Sequence, residues 1–134
     1  MLVTGHSLGA ALAEVFVGDN LYSDGIYEGN VMAYTFAAPK CSSSERTRSN
    51  IFNFINSEDP ITTVGGSYHI GTDIVYTPDD AFRENYGDRS FPAHRIPTSY
   101  RPMINMFNQV DGDGNAYINN YRAYHTNANV SIGN

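Results

Sequence analysis

A single cysteine, no tryptophan and eight basic residues against fourteen acidic ones set the first limits on this chain of 134 residues. Cys41 alone cannot form an internal disulfide framework, so the fold must hold by packing. The net charge of −6 and an isoelectric point near 4.9 exclude nucleic acid or an anionic membrane as an electrostatic partner, and no basic run offsets them. No apolar run reaches membrane-spanning length. Met1 opens directly into Leu2-Val3 rather than into a signal-peptide pattern, and the compartment stays open. Repeats and linkers are also missing. What is present, 41% apolar and 13% aromatic residues, suffices to build a core in a single domain spanning residues 1–134.

The most informative segment is Gly5-His6-Ser7-Leu8-Gly9, preceded by Leu2-Val3-Thr4 and followed by Ala10-Ala11-Leu12-Ala13. An apolar strand entering Gly-x-Ser-x-Gly and a small-residue helix leaving it form the context of a nucleophile elbow. Ser7 is expected at the apex of the turn in a strained conformation. Gly5 and Gly9 would leave the room that the tight turn needs. The backbone N–H of Leu8, opening the helix, would point at an oxyanion.

The helix is expected over about Leu8 to Val17, with Leu8, Leu12, Val15 and Phe16 at helical spacing and Gly18 as its C-cap. Ala10, Ala11 and Ala13 are small enough to let it lie close to a sheet. Val31 to Ala37 and Ile51 to Ile55 read as buried strands, separated by a short helix around Ser44 to Ser49. Strand–helix–strand–helix–strand predicts an α/β fold with a mostly parallel sheet and flanking helices. Beyond it, Tyr68 to Ile70 and Asp73 to Tyr76 suggest a hairpin, Thr77 to Pro92 a polar loop, and Ile96 to Phe107 a helix interrupted or restarted at Pro102.

A serine nucleophile needs a histidine base and an acid to orient it, in this fold in the order Ser, Asp or Glu, His. Asp59 follows the third strand, and Pro60 restricts the turn that aims it. Glu58 would point differently, and Asp73, Asp79 and Asp80 sit in loops. Of four histidines, His6 lies inside the elbow and cannot swing back onto Ser7. His94, at the entry of the late helix, and His125 both remain open as the base, with His69 less well placed.

The segment Thr4 to Ala13 closely resembles the elbow of class 3 lipases, the fungal-lipase-like branch of the α/β hydrolases. Val31 to Pro39, a strand running into Phe-Ala-Ala-Pro, is similar to that family's next strand. Asn56-Ser57-Glu58-Asp59-Pro60-Ile61 resembles its acid segment, and His94 with Tyr100 its histidine and tyrosine at the last helix. The resemblance covers about Met1 to Phe107. It implies hydrolysis of a carboxylic ester in a triacylglycerol or other lipid, with Ser7 attacking, His94 as base and then acid, Asp59 holding the imidazolium and the Leu8 N–H as oxyanion donor. No metal or organic cofactor is needed for this chemistry, and contact with a lipid interface is implied.

The family's preceding strands, lid helix and second oxyanion donor have no counterpart in the chain. The expected fold is therefore a partial α/β-hydrolase fold with its N-terminal strands missing, resembling the family's C-terminal part. Loss of one oxyanion donor typically costs about 100- to 1,000-fold in rate. The nucleophile strand would become an exposed sheet edge, to be covered by a missing N-terminal segment or by self-association. The alternative reading is a non-catalytic or truncated hydrolase-like chain without a complete oxyanion hole. Asp111-Gly112-Asp113-Gly114-Asn115 suggests calcium, but an EF-hand aligned on Gly114 would place Gln109 and Asn120 where end carboxylates are wanted, so a surface turn is expected. Tyr117, Tyr121 and Tyr124 read as packing residues.

Overall fold

The computed structural model describes residues 1–21, 30–107 and 129–133. Its centre is a five-stranded sheet in the order β1 (Leu2–His6), β2 (Met32–Phe36), β3 (Ile51–Asn56), β4 (Thr72–Thr77) and β5 (Asn129–Gly133). The first four strands run parallel, and β5 returns antiparallel to β4. This is the partial α/β architecture the strand pattern predicts. Among the described residues β1 has one strand neighbour, β2, with Gly5 opposite Thr35 and His6 opposite Phe36.

The register assigns the two faces. Val3, Ala33 and Ile51 lie in one row, and with Val17, Val31 and Ile70 they form the core beneath helix α1 (Leu8–Val15). The alternate residues point the other way, stacking Tyr34 on Phe52 and Phe36 on Phe54 with ring centroids 5.6 and 5.1 Å apart. Tyr100, Met103 and Ala37 close over part of that aromatic face. Met103 belongs to α4 (Arg101–Phe107), which carries Pro102 as its second residue. A π-helical turn, Ile96–Tyr100, leads into it.

Helix α1 packs through its alanines. Ala10, Ala11 and Ala13 are buried, while Leu8 and Leu12 are 67% and 63% exposed. Small side chains let the helix axis approach the sheet, which turns the larger leucines outward. The helix does not end at Gly18: it runs on as a π-helical turn, Phe16–Leu21, and Gly18 is buried against Ile70.

Three local expectations are overturned. Residues 44–49 form no helix. Ser42 bonds the backbone of Ser44 through its hydroxyl, a local bond that competes with helix formation, and the segment bends at residues 43–44 and is tied down by isolated bridges from Ser42 to Tyr68 and from Arg46 to Ile70. The hairpin across Gly71-Thr72 is likewise absent, because Thr72–Thr77 pairs parallel to β3. Gly71 instead sits at φ 105° directly against Ile51, where a side chain would collide with the Ile51 carbonyl. Within the expected polar loop lies a helix, α2 (Asp80–Tyr86), capped by Asp79, whose carboxylate accepts from the Phe82 N–H. The calcium-like run Asp111 to Asn115, the tyrosines of the tail and His125 lie outside the described residues.

Candidate active site

Ser7 joins β1 to α1 at φ 58° and ψ −130°, a conformation that costs a non-glycine residue energy and that the surroundings must impose. They do so through the backbone: the Ser7 N–H donates to the Phe36 carbonyl at 3.0 Å, and its own carbonyl accepts from Ala10 at 2.9 Å. Gly5 is indispensable to this turn, since a methyl there would lie 2.5 Å from the Gly9 carbonyl carbon and 2.7 Å from the Ala10 nitrogen. Gly9 is not, because a methyl built there meets nothing within 4 Å; the steric role expected of it is absent. The Ser7 hydroxyl makes no capping bond to its helix and is left for other partners.

Its partner is His94, the last residue of the single-turn helix α3 (Phe91–His94). The His94 Nε2 lies 2.9 Å from Ser7 Oγ, and its Nδ1 lies 2.9 and 3.1 Å from the two oxygens of Asp59. The structure thus brings together the three side chains singled out from the sequence, across 87 residues of chain. Asp59 is fully buried and needs donors for both oxygens. Besides His94 it accepts from the Ile61 N–H at 2.9 Å, capping the 3-10 turn Pro60–Thr63, and from the Tyr100 hydroxyl at 2.8 Å. Burial, and then the negative charge of Asp59, hold the Tyr100 phenol well above the usual tyrosine range, so it remains a donor.

Several residues to which the sequence reading gave no role support the site. Asn56, at the end of β3, donates to Ser99 Oγ at 2.8 Å, offers its backbone N–H to the Tyr100 oxygen at 3.2 Å, and accepts from the Glu58 N–H. These bonds lock the acid loop onto the turn that follows His94. His6, set aside because it cannot reach Ser7, faces His94 instead: its Nε2 bonds the His94 carbonyl at 2.7 Å. The clue was available in the period-two alternation of β1, which places His6 on the face of Phe36. An apolar recess of about 320 Å³ lies beside it, lined by Thr4, Gly5, His6, Phe36, Ile96, Tyr100 and Ile104.

The rival acids and bases are engaged elsewhere. Glu58 accepts from Arg83 and from the Arg89 N–H. Asp80 pairs with Arg83 at the surface. On the opposite face of the sheet, the fully buried carboxylate of Glu14 accepts from the Ile70 N–H at 2.9 Å, from Cys41 at 3.2 Å and from Thr35 at 3.5 Å, with His69 Nδ1 also at 3.5 Å. Burial opposes a charged His69, yet Glu14 and Asp73 overcome it and raise its pKa above the ordinary histidine value. Burial also raises the Asp73 carboxyl, and burial together with Glu14 pushes the Cys41 thiol up to about 12. A glutamate among the sheet-facing alanines of α1 was the overlooked sign of this polar cluster. Among the described residues no group of three or more His, Cys, Asp or Glu is arranged to hold a metal ion.

The lipase (class 3) family model matches residues 1–68, which span β1, the elbow, β2, β3 and the Asp59 turn. No curated protein sequence matches the chain. With half of its length matched, and with a parallel sheet that presents Ser7 on a strained strand-to-helix turn, the chain belongs to the class 3 lipase family of α/β hydrolases.

Proposed function

We propose that this chain hydrolyses carboxylic esters of lipids through Ser7, His94 and Asp59. The observation that carries the reading is the continuous hydrogen-bonded line from Ser7 Oγ through both His94 nitrogens to a fully buried Asp59. Ser7 Oγ attacks the ester carbonyl as its proton passes to His94 Nε2. The charge that develops on the carbonyl oxygen meets the Leu8 N–H, which opens α1 and has no carbonyl within the helix to reach. Asp59 stabilises the imidazolium and fixes Nδ1 as the protonated nitrogen. Collapse of the tetrahedral intermediate breaks the ester C–O bond, and the alkoxide leaves with the proton from Nε2. Water, activated by the same nitrogen, then cleaves the acyl-serine to the free acid.

Exposed Leu8, Leu12, Phe91 and Ile96, close in sequence to Ser7 and His94, supply apolar surface for a lipid substrate. The test is labelling with a fluorophosphonate probe, located by peptide mass, alongside hydrolysis of p-nitrophenyl esters of increasing acyl length. Labelling confined to Ser7, lost in Ser7→Ala and His94→Ala, is the expected result. A folded chain that neither labels nor hydrolyses any ester would overturn the reading in favour of a non-catalytic chain.

A further inference from the structure

The backbone that carries His94 has little stability of its own. Helix α3 is one turn of four residues, and Arg95 leaves it extended at φ −85° and ψ 137°. One turn of helix fixes several dihedrals for a single hydrogen bond and does not persist unaided. The bonds from Ala93 to Ser90, from Arg95 to Pro92 and from the Thr98 hydroxyl to Pro92 close this segment on itself. The bond from His6 Nε2 to the His94 carbonyl, at 2.7 Å, does something different: it ties the turn to the sheet, at the residue adjoining Ser7.

We propose that His6 is a positioning residue for the ester hydrolysis, its Nε2–H holding the His94 carbonyl so that the distance from Ser7 Oγ to His94 Nε2 is set between neighbouring points on two elements. The proposal rests on the Ser7–His94 reading above. His6 and Ser7 are consecutive, so the carbonyl contact at 2.7 Å and the side-chain contact at 2.9 Å grip His94 at both ends from one stretch of backbone. The His6 ring also lies 4.8 Å from the His94 ring and 6.0 Å from that of Tyr100, so packing and hydrogen bonding are both present and must be separated.

Two substitutions separate them. His6→Gln keeps an N–H donor near the position of Nε2 and loses the ring; His6→Phe keeps a ring and loses the donor. If the hydrogen bond positions His94, His6→Phe lowers kcat on a short p-nitrophenyl ester and the labelling rate at Ser7 by about 10- to 100-fold, the scale of a displacement on the order of 1 Å. KM stays within about twofold, and His6→Gln recovers most of the rate. The opposite order, with phenylalanine active and glutamine slow, or equal rates for both, overturns the proposal and leaves His6 a packing residue. Should His6→Phe not fold, His6→Asn serves in its place: shorter by one methylene, it must fall well below His6→Gln, and parity between them overturns the proposal. Failure of the underlying reading is separately visible, as a wild-type chain that does not label at Ser7 or a His94→Ala variant that labels as fast as wild type.

Discussion

Replacing Tyr100 by phenylalanine removes one oxygen from the interior and leaves the ring in place against Phe36. That oxygen does two things: it donates to Asp59 at 2.8 Å and accepts from the Asn56 N–H at 3.2 Å, with both side chains at zero exposure. A hydrogen bond to a charged group contributes about 1.5–3 kcal/mol, and a buried N–H left without a partner costs about 1–3 kcal/mol. Taken together the loss is about 3 kcal/mol. For a chain of this size each kcal/mol moves the melting temperature by about 3–5 °C, so Tyr100→Phe should melt about 10 °C lower. Asp59 keeps the Ile61 N–H and His94, and its aim loosens rather than fails; the esterase rate should fall about tenfold with KM little changed. Thermal unfolding by circular dichroism and steady-state hydrolysis of a soluble ester measure the two effects independently. A variant that melts within about 2 °C of wild type would show that the Tyr100–Asp59 bond contributes nothing in solution, and the account of the buried carboxylate would be wrong.

Further expectations concern the elbow and the buried polar cluster. Gly5→Ala should yield no folded chain, because its methyl collides with backbone, whereas Gly9→Ala should fold normally and gain up to about 1 kcal/mol from helix propensity; urea midpoints decide both. Glu14→Ala strips the partners of the Ile70 N–H and of His69 and should cost about 3–5 kcal/mol, with Glu14→Gln losing clearly less in the same assay. His69 binds its proton more tightly folded than unfolded, so its contribution is complete below the ordinary histidine range and is lost as pH rises through the raised value. The raised carboxyl of Asp73 has the same sign at lower pH. Urea midpoints should therefore fall as pH rises from about 6 to about 9, and His69→Gln should flatten that decline; a midpoint that rises with pH would contradict the sign.

The parts of the site that were legible before the fold was known are those whose chemistry forces local sequence. Ser7 needs a tight turn, so Gly5 and the flanking strand and helix announce it. Asp59 sits where a buried strand ends in an Asp-Pro turn. His94 was different: strand-end logic left His125 open beside it, its place at a helix entry favoured it, and the resemblance then singled it out. Its supports are long-range contacts with no local signature, as the bonds from Asn56 to Ser99 and from His6 to the His94 carbonyl show. Misreadings elsewhere have physical causes. The segment after Ser42 is polar enough for a surface helix, but the Ser42 hydroxyl bonds its backbone and isolated bridges tie it to Tyr68 and Ile70. Helix α2 was hidden because its one apolar pair, Phe82 with Tyr86, is too short a stripe, though Asp79 was a usable cap signal. On α1 the eye follows leucines, while packing follows alanines.

Among the described strands β1 lies at the margin of the sheet, and this bears on how the chain is inactivated. Among the described residues β1, which delivers Ser7, is held by one neighbour, and a strand so held opens at lower free energy than one flanked on both sides, as β3, which leads to Asp59, is. Sub-global opening of this margin would separate the serine from the imidazole while β2, β3 and β4 stay paired. Esterase activity would then vanish in a denaturant range where most of the circular dichroism survives, and the amides of residues 3–6 would exchange with solvent ahead of those of residues 51–56. With β1 held by β2 alone among the described strands, activity would be lost through the fraying of five residues before β2, β3 and β4 come apart.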